Sequence, residues 1–133
     1  MGGPAARTTR GLTLDAGALI GVDRGSRKLA VLLQRARQLE VPLYVPVGAL
    51  AQSWRNGRLQ VRLARLLASP DVEVVALDDA SARAAGQLCG ATRTSDVVDA
   101  SVVLCARDRG AAVITSDVED LRRLDARLQL IPV

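Results

Sequence analysis

Two aspartates three residues apart stand at the start of the most apolar stretch of the chain. Asp96 and Asp99 open the segment 95–106, in which every residue after Asp99 is apolar or small. This composition predicts a helix buried on all sides, and residues three apart share one face of a helix. Two carboxylates placed together at a buried helix end repel each other and are costly to desolvate. A bound cation would offset that cost, although Asp96 could simply cap the helix and Asp99 could favour its positive end.

The composition limits the possible chemistry. The chain has 133 residues, of which 49% are hydrophobic, and it contains no histidine. It therefore excludes Ser-His-Asp and Cys-His catalysis as well as histidine-ligated zinc. Cys89 and Cys105 lack a CxxC spacing, which predicts buried thiols in a reducing compartment.

The composition of the first ten residues and the length of the apolar segments predict a single cytoplasmic domain. Residues 1–10 are rich in Gly, Pro, Thr and Arg, and we expect a disordered leader there, followed by one domain over 11–133. The leader lacks the apolar core of a signal peptide, and no segment approaches the roughly 20 apolar residues that span a membrane.

The charge of the chain favours an anionic partner. The net charge is +4, and Lys28 is the only lysine, so almost all the positive charge is on arginine. Because the planar guanidinium group suits phosphate oxygens, this excess of arginine favours a nucleic-acid partner. A high-GC genome would also enrich arginine, and this alternative stays open.

Apolar runs and helical periodicity alternate along the chain. Strands are predicted at 12–14, 42–46, 72–77, 111–115 and 128–133. Helices are predicted from 16, over 24–40, 47–55, 58–68, 79–89 and 95–108, and from 116, with a loop at 90–94. This alternation predicts an α/β protein, a three-layer α/β/α fold with a central parallel sheet of four to five strands.

Acidic residues follow two of the predicted strands. Asp15 comes directly after the first strand, and Asp117 is the second residue after the strand 111–115. The helix that carries Asp96 and Asp99 leads into that same strand, so it should begin at the carboxyl edge of the sheet, where sites of parallel sheets form. Such an all-oxygen cluster favours Mg²⁺ or Mn²⁺ over zinc, although Asp15 and Asp117 could be helix caps and nothing more.

Four segments together resemble a known family. They are 14–20, 45–55, 96–100 and 114–121, and their order and spacing match a PIN domain, specifically the VapC-type ribonuclease toxin of bacterial toxin-antitoxin pairs. The resemblance extends from about residue 11 to the end of the chain. It implies a Mg²⁺- or Mn²⁺-dependent endoribonuclease that leaves 5′-phosphate and 3′-hydroxyl ends.

The resemblance also implies roles for individual residues. It assigns the metal to Asp15, Asp99 and Asp117, and it makes Asp96 a catalytic neighbour that binds through water or acts as a base. Thr115 would be a supporting hydroxyl. The implied partners are RNA, a cognate antitoxin and a second copy of the chain, with an antitoxin peptide in an apolar groove and an arginine inserted into the acidic site.

One residue departs from the family pattern. Gln52 stands where the family usually has Glu, and it keeps an acceptor oxygen but lacks the negative charge. We expect a variant metal site rather than a dead one. The rival interpretation is a non-catalytic PIN-like module that binds RNA or a protein.

Four arginines follow Gln52 and are candidates for phosphate contacts, with a merely solvated helix face as the alternative. They are Arg55, Arg58, Arg62 and Arg65. Because the only aromatic residues are Tyr44 and Trp54, we expect selectivity from RNA shape rather than from base stacking.

A phosphotransfer or phosphatase domain with Asp15 as the nucleophile is a second rival. A receiver-like site would need a lysine after a late strand, whereas the single lysine is Lys28. A dehalogenase-type site would need a second aspartate where Gly17 stands. No GxGxxG follows the first strand, which disfavours a dinucleotide site.

Overall fold

A five-stranded parallel sheet forms the centre of the computed structural model, which describes residues 10–133. The strand order is β3-β2-β1-β4-β5, and each neighbouring pair is parallel. The strands are β1 Leu12–Leu14, β2 Leu43–Pro46, β3 Val72–Val75, β4 Ala112–Thr115 and β5 Leu130–Pro132. The predicted α/β/α fold with a parallel sheet is confirmed.

Seven helices connect the strands within the described residues. They are α1 Ala16–Asp23, α2 Arg27–Gln38, α3 Val47–Ser53, α4 Val61–Ala68, α5 Asp79–Thr92, α6 Val97–Arg109 and α7 Val118–Leu124. Because helices link parallel strands, each helix that follows a strand begins near the carboxyl edge of the sheet.

The core centres on β1, β4 and α6. Every residue of β1 and β4 is buried, as expected for central parallel strands that are covered on both faces. Helix α6 buries residues on several sides, among them Ala100, Val102, Val103 and Ala106, all at 0% exposure. The helix expected to be buried all round therefore lies against the centre of the sheet, and its first turn is fixed in place.

The predicted start of α4 at residue 58 is wrong, because a side chain holds residues 55–60 in a non-helical turn. The Gln60 Oε1 atom accepts the backbone N–H groups of Arg55 at 2.6 Å and Asn56 at 2.9 Å. Its Nε2 atom donates to the Ser53 carbonyl at 2.8 Å. These bonds satisfy the backbone groups that follow α3, so the next helix begins only at Val61.

The loop predicted at 90–94 is also wrong in part, because α5 continues to Thr92. A helix interior tolerates Gly90 at a modest cost, and α5 ends instead at Arg93, which takes the left-handed conformation with φ of 58°. Other boundaries differ by a few residues; β3, for example, ends at Val75 rather than at 77.

The expected thiol state is observed, since Cys89 and Cys105 are both buried and free. The predicted leader, residues 1–10, lies outside the described residues except for Arg10, whose N–H donates to the Gly110 carbonyl at 2.9 Å. Among the described residues, no helix has the length and hydropathy needed to cross a membrane.

Candidate metal centre

The carboxyl edge of the sheet brings the predicted acids together. β1 and β4 are neighbours with Leu14 opposite Ile114, so the residues that follow each strand leave the sheet side by side. Asp15 follows β1, and Asp117 follows β4 after one intervening residue. Both carboxylates raise the pKa of Asp99 by charge repulsion, so residues from three distant parts of the chain share one site.

Asp15 is both a helix cap and a member of the acidic cluster. Its Oδ1 atom accepts the Ala18 N–H at 2.8 Å at the start of α1. Its carboxylate also interacts with the Thr115 hydroxyl and with the backbone N–H groups of Gly17 and Ser116, which favours the charged form. Burial outweighs these bonds and raises the pKa of Asp15, whose side chain is only 5% exposed.

Asp99 experiences the repulsion most strongly. The Asp96 Oδ1 atom accepts the Asp99 N–H at 3.0 Å, so Asp96 caps α6 and places its carboxylate beside that of Asp99. Desolvation, followed by repulsion from Asp96 and then from Asp117 and Asp15, raises the pKa of Asp99 to about 7. Near neutral pH, Asp99 therefore keeps a proton for much of the time unless a cation is bound.

Asp117 faces a carboxyl group that the sequence-based prediction missed. Asp117 occupies the N-cap position of α7 without capping it, and the nearby carboxyl group of Asp120 raises the pKa of Asp117, because the two groups are stabilised by sharing a proton. One carboxylate oxygen from each of Asp99, Asp117 and Asp120 lies within 4.8 Å of the other two. The available signal was spacing, because Asp120 follows Asp117 by three residues, as Asp99 follows Asp96.

Thr115 holds two aspartates in place. It is fully buried at the end of β4, and its Oγ1 atom accepts the Asp117 N–H at 2.8 Å while the hydroxyl also interacts with Asp15. The first turn of α1 packs closely against this loop, since a Cβ atom at Gly17 would collide with the Ser116 hydroxyl. Glycine at position 17 therefore allows the two loops of the site to meet.

The remaining predicted site residues take no part in the contacts described for the acidic cluster. Gln52 is exposed near the end of α3, and no contact described for the carboxyl groups involves it. Arg55 donates to the carbonyls of Ala51 at 3.2 Å and Trp54 at 2.7 Å. Arg58 is exposed, and Arg62, with Arg65, lines a cleft of 650 Å³ between α2 and α4.

The donor set fits a hard divalent cation. It consists of carboxylate oxygens and one hydroxyl, the chemistry that suits Mg²⁺ and Mn²⁺. The pKa shifts of Asp15, Asp99 and Asp117 arise from burial, hydrogen bonds and neighbouring carboxylates. Among the described residues, the ion pair at the cluster joins the exposed Arg123 to Asp120 at 3.6 Å on the rim, so basic side chains leave most of the repulsion uncompensated.

Fold and site together define an α/β domain of parallel strands with an acidic centre at the carboxyl edge of its sheet. A model of the PIN domain family matches residues 12–127, which is most of the chain. The chain belongs to the PIN domain family, and the resemblance seen in the sequence is confirmed.

Three solved structures share this fold with the chain. VapBC2 from Rickettsia felis bound to a DNA fragment from its promoter contains a chain with a TM-score of 0.69 at 13% identity, with 92% of this chain and 98% of that chain covered. FitAB bound to an IR36 DNA fragment contains a chain with a TM-score of 0.65 at 14% identity, with 91% of this chain and 94% of that chain covered. FitAcB from Neisseria gonorrhoeae contains a chain with a TM-score of 0.64 at 14% identity, with 90% of this chain and 96% of that chain covered. No curated protein sequence matches the chain.

The raised pKa of Asp99 predicts an unusual dependence of stability on pH in the absence of metal. Between pH 3.8, the ordinary pKa, and about 7, the folded protein binds a proton at Asp99 that the unfolded chain has lost. The free energy of unfolding, measured by urea denaturation in EDTA, should therefore fall across this window as the pH rises. Asp99→Asn should flatten the decrease. Equal slopes for the native chain and the variant would contradict this assignment.

Proposed function

We propose that the protein is a Mg²⁺- or Mn²⁺-dependent endoribonuclease and the toxin of a toxin-antitoxin pair. The observation that supports this proposal is the meeting of five aspartate carboxyls at the carboxyl edge of a PIN domain, with a basic side chain only at the rim. Those residues are Asp15, Asp96, Asp99, Asp117 and Asp120. Helix capping accounts for Asp15 and Asp96 singly, but repulsion among the five carboxyls destabilises the fold unless a cation is bound.

The metal would be held by Asp15, Asp99 and Asp117. When bound, Mg²⁺ or Mn²⁺ supplies charge neutralisation at a phosphodiester and a lowered pKa for an attacking water. Asp15 takes part from a fixed position, because the α1 cap and the Thr115 hydroxyl restrain its carboxylate. The same restraint and its burial disfavour Asp15 as a phosphotransfer nucleophile.

The proton of the attacking water is assigned to Asp96. With no histidine in the chain, a carboxylate must accept it. Asp96 is exposed, and the backbone N–H of Asp99, which donates to its Oδ1 atom, holds the carboxylate beside Asp99. Products with 5′-phosphate and 3′-hydroxyl ends require that water attacks phosphorus while the P–O3′ bond breaks and the 3′ oxygen leaves; the resemblance implies this outcome.

The first test is metal-dependent cleavage of RNA. We expect the native chain to cut a mixed RNA substrate with Mg²⁺ or Mn²⁺ and not in EDTA. Asp99→Asn should reduce the rate at least about 100-fold, because removing an electrostatic contributor in a preorganised site has effects of this size. Asp108→Asn, on the exposed far end of the same helix, is the matched control and should cleave normally. Equal rates for the two variants would argue against this centre.

Gln52 favours the second candidate, a PIN-like module that binds RNA or protein without cutting. Its side chain is uncharged and exposed, so α3 contributes no carboxylate at this position. If the centre is a working variant, Gln52→Glu should tighten Mn²⁺ binding severalfold in calorimetry and raise the cleavage rate, whereas Gln34→Glu on α2 should do neither. RNA binding without cleavage by both the native chain and Gln52→Glu would favour the module.

RNA contacts are assigned to Arg55, Arg58 and Arg62, which follow α3 in the chain. Arg58 and Arg62 are exposed, and the guanidinium of Arg55 is fixed by carbonyls at the end of α3. Phosphate contacts release counterions, so the double variant Arg58→Gln/Arg62→Gln should lower the salt slope of single-stranded RNA binding by roughly 1.4. Arg83→Gln on α5, whose side chain pairs with Asp79, should leave the slope unchanged. An unchanged slope in the double variant would contradict the assignment of RNA contacts to Arg58 and Arg62.

A protein partner is proposed on two grounds. The solved structures with this fold carry the names VapBC2, FitAB and FitAcB, which are similar to the toxin-antitoxin pairs that the sequence resembles. A hollow of 340 Å³ on the surface is lined mainly by apolar side chains, those of Val47, Leu50, Ala51, Trp54 and Leu67. We assign this hollow to an apolar segment of an antitoxin; that an arginine of this partner enters the acidic centre is implied by the resemblance alone. A homodimer in the cytoplasm is proposed on the resemblance to VapC toxins alone.

A further inference from the structure

We propose that the cleft between α2 and α4 binds the phosphate backbone of the RNA substrate. This inference rests on the proposed function and extends it from the cut site to a further part of the strand. The cleft has a volume of 650 Å³. Its lining, within the described residues, contains no acidic residue and three arginines, which are Arg37, Arg62 and Arg65.

The segment that forms most of this cleft is strongly basic. Residues 24–70 contain one acidic residue, Glu40, and nine of the 18 basic residues of the chain. The nine are Arg24, Arg27, Lys28, Arg35, Arg37, Arg55, Arg58, Arg62 and Arg65. The aspartates of the metal centre all lie outside this segment. A polyanion with one charge on every nucleotide fits such a surface better than a protein segment with scattered carboxylates does.

Two of the three arginines keep their charge available to a ligand. Within the described residues, neither Arg62 nor Arg65 forms an ion pair. A Cβ atom at Gly25 would lie 3.1 Å from the Arg62 Cζ atom, so the guanidinium group packs against the Gly25 backbone. Arg62 is therefore positioned at the cleft by packing and not by a carboxylate.

Little else in the cleft competes for the arginines. The buried side chains that line it, Leu33 and Leu66, are apolar. Arg37 donates to the Ser69 hydroxyl at 3.2 Å and lies 3.7 Å from Asp71. The Arg37 side chain is 61% exposed in this pair, and exposed ion pairs are weak, so a phosphate group can replace Asp71 as its partner.

Helix α1 connects the cleft with the metal centre. It begins directly after Asp15 and ends at Asp23, while Val22 and Gly25 line the cleft. Its eight residues span about 12 Å. A single strand covers that distance with about four stacked nucleotides, at about 3.4 Å each. A strand that is cut at the metal centre can therefore lie in the cleft at the same time.

The test is binding of a fluorescent single-stranded RNA, long enough to reach both sites, to the full chain in EDTA. Ala30→Glu adds a carboxylate to the cleft lining and should raise the Kd at least about tenfold, because it meets the phosphates. Val31→Glu adds the same charge at the next position of α2, where the side chain is 60% exposed and outside the cleft lining. This matched control should stay within about twofold of the native chain, because salt screens a charge that does not touch the RNA.

Removal of a cleft arginine gives a second comparison. Arg65→Gln should lower the salt slope of binding by roughly 0.7, the share of one phosphate contact with a single strand. Arg35→Gln removes the same charge from an exposed position of α2 outside the cleft lining, and should leave the slope unchanged. Thermal melting checks that each variant is folded. If Ala30→Glu does not fold, the two arginine variants decide the question.

Equal affinities of folded Ala30→Glu and Val31→Glu, or equal slopes of Arg65→Gln and Arg35→Gln, would overturn the inference, as would a native chain that does not bind the RNA. Cleavage with Mn²⁺ is measured separately, so the metal centre can stand when the cleft fails. Cleft-dependent binding by a chain that does not cleave would support the cleft and refute the nuclease.

A poly-glutamate peptide tests for a different occupant. We expect it to bind the native chain more weakly than the RNA does. If it binds more tightly and Ala30→Glu weakens it, the cleft receives an acidic protein segment, and the assignment to RNA is wrong.

Discussion

Repulsion between carboxylates is the constraint on which the rest of the site depends. The central strands β1 and β4 are buried along their whole length, so charged side chains can occur only where these strands end. Because the two strands are parallel neighbours, their ends meet at one edge, and α6 begins there as well. The topology that buries the apolar core thus forces the acids together.

The backbone relieves part of this repulsion. Asp15 and Asp96 each accept an N–H group at the start of a helix, and Thr115 accepts the N–H of Asp117. A carboxylate has two oxygens, so an aspartate can cap a helix through one and face the cluster with the rest of its acceptor capacity. Helix capping and metal binding, which compete as explanations of a sequence, are compatible in the folded protein.

The charge distribution divides the molecule into two kinds of surface. Five of the 14 acidic residues lie in the cluster, whereas the chain has 18 basic residues in all. Away from the cluster, the surface is therefore strongly basic, with an arginine-lined cleft between α2 and α4. On the proposed function, the basic surface attracts RNA, while the acidic centre repels phosphate until a cation occupies it.

The sequence by itself determined the strand and helix alternation, the parallel sheet and the meeting of Asp15, Asp96, Asp99 and Asp117. These follow from local periodicity and from the rule that helices and strands of such a sheet start and end at fixed edges. Only the tertiary structure decided that Gln60 delays α4, that Asp15 is tied to Thr115, and that Asp99 lies beside both Asp117 and Asp120. Each of these depends on side-chain contacts between separate segments or on the orientation of a single turn, and hydrophobic periodicity carries no information about either.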